Sequence, residues 1–489
     1  MSHLILTRDD SANIKFGTDG WRGKIGFDFN YYNLKIATAA ACQELFYQYF
    51  KFVKNKKILI GYDRRFMARD FAKSMIPIVK GCGLEPFLAD TYVTTPACSL
   101  YVKEFTFLGA LIITASHNPY DWLGLKIKSY KGCSVDEAFT KEVQNRIKLS
   151  NSVEQIYFDY KTVKVKEFHL KTIKSRFNTQ LIVSRLKAMK LEVYIDAMHG
   201  ASAKCIDTLF SDCSKNVFKG IREKGDPYFG GNPPEPLNSY LDELRNTLNQ
   251  NSSEITKTIG IIFDGDGDRI AVIDEQGRYC SSQTLLPFFI NYLDRKNKNT
   301  YPVLKTVSCS DVINKIADYQ KRTVIELPVG FKHIAKRMIE NNVLIGGEES
   351  GGIGFGEFLP ERDALYSAMT LLSAIAEDSK YLSDSLDEIQ QKFGPSYYDR
   401  IDIKLKYLSD TNLLESYIIR NLPQEISGYK ITDVSKLDGI KVRIMDNYWI
   451  LFRFSGTEPL LRLYCEAFSE DILKSTLDWG RKFINQIIC

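Results

Sequence analysis

The sequence predicts an α/β protein of several domains with largely parallel sheets, closed by a C-terminal domain of a different, α+β kind. Three observations carry this. The chain has 489 residues, too many for one hydrophobic core and enough for three or four domains of ordinary size. A short apolar strand, then a Gly-, Asp- or Ser-rich turn, then a helix-period segment recurs along the first 390 or so residues, and strands alternating with helices imply parallel sheets covered on both faces. After about residue 395 the pattern changes to shorter alternating strands such as Gly439-Ile-Lys-Val-Arg-Ile444 and Trp449-Ile-Leu-Phe-Arg-Phe454.

The recurring unit is clearest in Leu108-Gly-Ala-Leu-Ile-Ile-Thr-Ala-Ser-His-Asn-Pro119. Its apolar run is too short for an ordinary helix and reads as a buried strand, ending in a polar turn closed by a proline that cannot continue a ladder. Ser116, with His117 beside it, thus stands at the carboxyl end of a strand, where open α/β sheets bind ligands. The same unit is read at Ile58–Asp63, Val193–Gly200, Ile259–Asp266 and Val343–Ser350. Composition shifts near 148–155, 296–300 and 378–386, and only some of these are boundaries.

Composition excludes several classes. Apolar residues make up 44% of the chain, so disorder is not in question. A net charge of +5 over this length does not identify a nucleic-acid binder, and the basic runs Lys51–Lys57 and Arg295–Lys298 read as solvated loops. Ten cysteines lack Cys-x-x-Cys spacing or paired histidines, which argues against zinc and disulfides and for reduced thiols. No apolar stretch approaches the roughly 20 residues that span a bilayer, and the first residues lack a signal-peptide core. The expectation is a cytoplasmic protein, a monomer or homodimer, with small-molecule partners and neither nucleic acid nor membrane.

Chemistry concentrates in a few loops. Asp264-Gly-Asp-Gly-Asp-Arg269 places three carboxylates at alternate positions after an apolar strand. They repel one another unless a cation lies between them, and oxygen-only donors with a phosphate as further ligand suit magnesium; Arg269 can reach the same phosphate. Phe16-Gly-Thr-Asp-Gly-Trp-Arg-Gly23 surrounds Arg22 with glycines, allowing backbone and guanidinium to approach a phosphate. Gly346-Gly-Glu-Glu-Ser-Gly-Gly352 offers carboxylates and a hydroxyl suited to sugar hydroxyls. Arg453-Phe-Ser-Gly-Thr-Glu-Pro459, followed by Arg462, can form an anion-binding concavity. Lys126, ten residues beyond Ser116, is a candidate base if its strand returns beside the serine; otherwise it is an exposed lysine on a strand edge.

In this order, the motifs resemble those of the α-D-phosphohexomutase family, from about residue 14 to about residue 468. Asp63-Arg64-Arg65 and Thr94-Thr-Pro96 look like further family turns. The resemblance implies four domains around a central cleft, the first three sharing an α/β fold: residues 1–168 with the phosphoserine loop, 169–280 with the metal loop, 281–394 with the sugar loop, and a C-terminal α+β domain, 395–489, that binds phosphate. It implies that Ser116 is carried as a phosphoserine, that one Mg2+ is held by its phosphate and by Asp264, Asp266 and Asp268, and that a hexose 1,6-bisphosphate is the intermediate between hexose 1-phosphate and hexose 6-phosphate. It further implies that Lys126 is the general base; Ser116, His117 and Arg22 are read with it as the catalytic set, His117 equally as a hydrogen-bonding partner that shapes the loop. Glu348 and Ser350 become sugar ligands, and Arg453, Ser455, Gly456, Thr457 and Arg462 hold the non-transferred phosphate. Lys332, in Pro328-Val-Gly-Phe-Lys, and Arg269 also touch substrate.

Glu349 and Gly267 stand where phosphoglucosamine mutases typically carry Gln and Ala, whereas Thr18-Asp19-Gly20 looks like that group's first loop. The Glu-Glu-Ser-Gly-Gly sugar loop looks like that of enzymes acting on glucose or mannose phosphates and does not decide between the two, which differ in the configuration of one hydroxyl; the expected substrate is glucose, with mannose alongside. The alternatives are a phosphomannomutase or phosphoglucosamine mutase of the same family, an aspartate-nucleophile phosphatase using Asp264, and a non-catalytic sugar-phosphate-binding protein.

Overall fold

A computed structural model describes residues 14–17, 19–149, 160–213, 217–405, 411–454 and 460–488. The chain forms two compact units, one of residues 1–280, 335–340 and 351–381, the other of residues 281–334, 341–350 and 382–489.

The first unit holds two mixed sheets. In the seven-stranded one, Lys57–Tyr62 lies between Glu85–Ala89 and Gly109–Ile113, all parallel, and Glu85–Ala89 pairs in parallel with Lys161–Val163. Gly109–Ile113 is buried at every position, as expected of a strand covered on both faces. On its other side Trp122–Ser129 runs antiparallel, followed by Gly20–Lys24 and Phe16–Gly17. The second sheet pairs Lys257–Phe263 in parallel with Leu191–Asp196, which pairs with Phe218–Ile221; Ile270–Ile273 and Tyr279–Cys280 complete it antiparallel.

Two expectations need correction. The loops after Ile113 and Phe263 do not lead into helices; each joins two antiparallel neighbours, Ile113 opposite Leu125 and Phe263 opposite Ile270. The return at Gly124 needs the missing side chain, since a Cβ there would lie 2.5 Å from Trp21 O and 2.7 Å from Thr114 O. The segment after Ser350 likewise enters a short strand, Ile353–Phe355, before the helix Ala364–Asp378. The basic run Lys51–Lys57 is only partly a loop: the helix Tyr31–Val53 takes in its first three residues, Lys54 caps it in the left-handed conformation, and Lys57 opens a strand. Arg295 and Lys296 likewise close the helix Ser282–Lys296, and cations in a last turn suit the helix dipole.

In the second unit, Val303–Thr306 pairs in parallel with Val324–Leu327 and Ile345–Gly347. Tyr397–Lys404, Leu460–Ala467, Tyr448–Phe454, Ile440–Met445 and Asp433–Ser435 form an antiparallel sheet in that order. The apolar side of this sheet, with Leu461, Leu463 and Cys465, belongs to a core that also takes in Leu473, Leu477 and Ile484 of the helix Glu470–Ile488. No described helix is long and apolar enough to cross a membrane.

Candidate active site

Ser116 sits in the turn after strand Gly109–Ile113 with φ of +52°, a left-handed conformation that non-glycine residues seldom adopt. The turn is held from below. Thr114 Oγ1 donates to Asp63 Oδ2 at 2.6 Å and accepts from Ser116 N at 2.9 Å. Arg65, fully buried, donates to the carbonyl oxygens of Ser116 (2.6 Å), Asn118 (2.7 Å), Pro119 (2.8 Å) and Trp122 (3.2 Å). Arg22 reaches the same turn, donating to Asn118 Oδ1 at 2.5 Å.

The acidic loop is held by three other segments: Thr95 N, Ala201 N and Ala364 N donate to the carbonyls of Asp266, Gly265 and Gly267. Gly267 adopts φ of +70°, so the curl of the loop uses glycine's freedom. Asp264, Asp266 and Asp268 are fully buried, and one carboxylate oxygen from each lies within 4.8 Å of the others. Ser116 Oγ donates to Asp264 Oδ2 at 3.0 Å, so the strand-end hydroxyl and the acidic loop form one site. Asp264 Oδ1 accepts from the backbone N–H groups of Asp268 and Arg269.

Lys126 is not an exposed edge lysine. Its strand returns beside the serine strand, and its ammonium lies 2.7 Å from Asp19, 2.8 Å from Asp266 and 3.0 Å from Asp268. Burial alone would lower its pKa, but Asp19, Asp266 and Asp268 more than offset this and raise it. Burial and the charges of Asp268 and Asp266 push Asp264 well above the usual carboxylate range. Asp266 is held well below that range because Lys126 and Thr95 outweigh its burial; Thr95 Oγ1 donates to Asp266 Oδ2 at 2.5 Å. His117 Nδ1 lies 3.3 Å from Ser116 Oγ. Burial, then Arg269, Arg22, Lys126 and Arg65, lower its pKa well below that of a free histidine, so it is neutral near pH 7.

The donor set fits a hard divalent cation. It is all oxygen, it concentrates negative charge in a buried space, and Asp266 Oδ1 and Asp268 Oδ1 are buried without a hydrogen-bond partner. Four residues that sequence reasoning left without a role complete the surroundings: Arg65, Thr95, Asp19 and Arg362. Arg362 donates to Asp268 Oδ2 at 2.7 Å and to Asp19 Oδ2 at 2.8 Å. Arg269 lies 3.6 Å from Glu235 and 3.9 Å from Asp268.

Several of the residues expected to bind sugar and phosphate lie in the second unit. Glu348 is buried and accepts from Gly330 N at 3.0 Å. Asp438 accepts from Val329 N at 2.8 Å and from Arg453 Nε at 2.9 Å. The segment before Lys332, itself half-buried in the first turn of helix Phe331–Glu340, thus meets Glu348 directly and is linked to Arg453 through Asp438. Arg462 stands opposite Arg453 across paired strands, and Asp402 is 3.9 Å from Arg462. Arg400, not anticipated from sequence, lies 3.4 Å from Glu349. Ser350 is half-buried. Ser455, Gly456 and Thr457 lie outside the described residues.

Comparison with known proteins places the chain in a family. Family models described as phosphoglucomutase/phosphomannomutase alpha/beta/alpha domains I, II and III match residues 13–154, 167–277 and 281–393, and the model of the C-terminal domain matches 422–478. A phosphoglucomutase/phosphomannomutase of Thermococcus kodakarensis is 27% identical, covering 88% of this chain and 90% of its own. A phosphoglucosamine mutase of Methanocaldococcus jannaschii is 28% identical, covering 89% and 93%. A crystal structure from Thermus thermophilus, provisionally named a phosphomannomutase, has a TM-score of 0.83 at 26% identity and covers 97% of this chain and 99% of that one. The chain belongs to the phosphoglucomutase/phosphomannomutase family, the α-D-phosphohexomutases, which are phosphotransferases of the isomerase class.

Proposed function

We propose that the protein interconverts hexose 1-phosphate and hexose 6-phosphate, with glucose as the preferred sugar and mannose as a second substrate. The observation that carries this is the 3.0 Å contact of Ser116 Oγ with Asp264 inside a buried triple-carboxylate loop. A nucleophilic hydroxyl and a cation site at one point suit phosphoryl transfer, which is mostly positioning and charge neutralisation.

Ser116 is carried as a phosphoserine and gives its phosphoryl group to the free hydroxyl of a hexose phosphate. The bond between phosphorus and the serine oxygen breaks, one to the sugar oxygen forms, and the product is a hexose 1,6-bisphosphate. That intermediate turns over and returns its other phosphate to Ser116. Asp264, Asp266 and Asp268 would hold one Mg2+, which would supply charge neutralisation to a phosphate in transfer. Lys126 first gives its ammonium proton to solvent, away from the carboxylates that keep it protonated, then takes the proton of the attacking hydroxyl and returns it to the leaving sugar oxygen in the second half-reaction. Arg22 and Arg269 bind the phosphate being transferred, and His117, neutral, orients the serine hydroxyl. Glu348, Ser350 and Lys332 bind the sugar phosphate, and Arg453, Ser455, Gly456, Thr457 and Arg462 its second phosphate.

The pairing of Glu349 with Arg400 favours a neutral sugar, since the carboxylate is already matched by a cation and has little charge left to attract an ammonium. Phosphoglucosamine mutase activity is the second reading, motivated by the names of relatives such as the M. jannaschii enzyme. The phosphatase reading is less suited to the site, because both oxygens of Asp264 are occupied as hydrogen-bond acceptors.

Kinetics on glucose, mannose and glucosamine 1-phosphates, coupled to dehydrogenases and primed with a hexose 1,6-bisphosphate, test this. Turnover fastest with glucose, abolished by Ser116→Ala, with phosphate found on Ser116 by peptide mass analysis, is the expected result. Phosphate release by Ser116→Ala at the wild-type rate favours the phosphatase, and binding without turnover favours a sugar-phosphate-binding protein.

A further inference from the structure

A cavity of about 440 Å³ opens in the first unit between the helix Tyr31–Val53 and the end of the helix Ala68–Gly81, apart from the residues assigned to phosphate transfer. Phe46, Phe50, Lys51 and Arg146 line it together with two thiols, Cys42 and Cys82. Cys42 is wholly buried, whereas Cys82, at the C-cap of its helix, is half-exposed. Cys82 Sγ lies 4.0 Å from the carbonyl oxygen of Ala39, one turn before Cys42 on the same helix, and both thiols face the one cavity. Its neighbour Cys82 and burial raise the pKa of Cys42, while Cys42 lowers that of Cys82, the accessible partner, so Cys82 forms the nucleophile more readily.

Charge in the cavity has one sign. Among the described residues that line it, Lys51 and Arg146 are the charged ones and none is a carboxylate. Glu44, outside the lining, pairs with Arg146 at 2.6 Å and takes part of its charge; Lys51 stands over the Phe52 ring. Cys98, Cys205 and Cys309 contrast with Cys82, since burial pushes their thiols up to about 12, 11 and 12.

We propose that this cavity is a thiol-exchange site, which binds a small anionic disulfide and uses it to close a disulfide between Cys42 and Cys82. The Cys82 thiolate attacks one sulfur of the bound disulfide. A Cys82–sulfur bond forms, the donor's S–S bond breaks, and one thiol leaves with the proton that Cys82 gave up. The Cys42 thiolate then attacks the Cys82 sulfur and expels the second thiol, which takes the proton from Cys42. Two protein thiols are oxidised, one small disulfide is reduced to two thiols, and no further oxidant is needed.

The test treats the reduced full-length protein with oxidised glutathione and follows intact mass and peptide maps. The wild type is expected to lose two hydrogens and to show a Cys42–Cys82 link. Cys42→Ser should stop at one glutathionyl group on Cys82, and Cys82→Ser should leave Cys42 unmodified. Cys82 should react at least about tenfold faster than half-buried Cys213. Oxidised glutathione should outpace cystamine, a cationic disulfide, and Lys51→Glu should narrow that difference. Equal rates at Cys82 and Cys213, a wild type without the Cys42–Cys82 link, or faster reaction with cystamine overturns the proposal. Should Cys42→Ser fail to fold, the wild-type map and the cystamine comparison still decide it.

Discussion

Arg65 donates to the carbonyl oxygen of Ser116 at 2.6 Å, and through three further carbonyls it holds the whole turn that presents the serine hydroxyl. The guanidinium is itself fixed by Asp63, 3.3 Å away and equally buried. Holding a serine at φ +52° costs backbone energy that these bonds offset.

Arg65→Met therefore removes four carbonyl partners and strands the Asp63 carboxylate in the interior. The expected loss of stability is about 3–5 kcal/mol, read from urea unfolding. In the fraction that stays folded, turnover should fall about a hundredfold as the serine drifts from its position. Arg65→Lys should not restore it, because an ammonium cannot fork onto four carbonyls. A variant with wild-type turnover would show that the turn holds itself.

Asp266→Asn tests the cation site. The substitution keeps the volume and an oxygen for Thr95 Oγ1 but removes the charge that faces Lys126 and the cation. Turnover is expected to drop by about two to three orders of magnitude, with far-UV circular dichroism unchanged and Mg2+ binding weakened in calorimetry. Treating the wild type with EDTA should abolish turnover and adding Mg2+ should restore it. Unaltered Mg2+ affinity in Asp266→Asn would remove this carboxylate from the ligand set.

What could be read from the sequence, and what could not, follows from the range of the interactions. The strand before Ser116 was legible because a run of buried apolar residues is a local signal, and the acidic loop because three carboxylates at alternate positions conflict locally. The return strand was not, since Leu123-Gly-Leu-Lys-Ile-Lys128 alternates like a half-exposed edge. Its lysines are buried instead because Lys126 meets Asp266, 140 positions away, and Lys128 meets Glu361, 233 positions away. Arg362 escaped notice for the same reason: it matters through Asp19 and Asp268, and its own neighbourhood in the chain carries no motif. Arg65 lay within a turn marked as a family feature, but its role depends on carbonyl groups, which a sequence does not display.

Alkaline pH should destabilise the protein through its buried thiols. Burial raises Cys98, Cys205 and Cys309 to about 12, 11 and 12, whereas an unfolded cysteine ionises near 9. With the folded value above the unfolded one, their contribution is complete below pH 9 and declines as pH rises, because only the unfolded chain loses these protons. Each thiol lowers stability by about 1.4 kcal/mol per pH unit between about 9 and 11. Urea midpoints measured from pH 8 to 11 should fall accordingly, and Cys98→Ala should make the slope shallower by about 1.4 kcal/mol per pH unit after its own cavity cost is subtracted. At pH 8 the same thiols should resist iodoacetamide until the protein is unfolded.

Glu466 joins two sequence-distant parts of the second unit. Wholly buried, it accepts from Ser310 Oγ, from Asp311 N at 2.8 Å, from Ser396 Oγ at 2.6 Å and from Trp449 Nε1 at 2.5 Å. Four donors on one carboxylate make it the acceptor on which the segment around Ser310 and the C-terminal sheet both depend. Glu466→Gln replaces an acceptor oxygen with an NH2 that faces donors, and each donor left without a partner costs about 1–3 kcal/mol. Glu466→Leu leaves all four unpartnered and should cost more. If the two segments form one cooperative body, hydrogen exchange in Glu466→Leu rises together in Val303–Thr306 and in Tyr448–Phe454, at the same denaturant concentration. A rise limited to the C-terminal strands would mean that the segment around Ser310 is held by its own buried ion pairs, chiefly Lys305 with Asp311 at 2.7 Å, and that Glu466 secures only its own sheet.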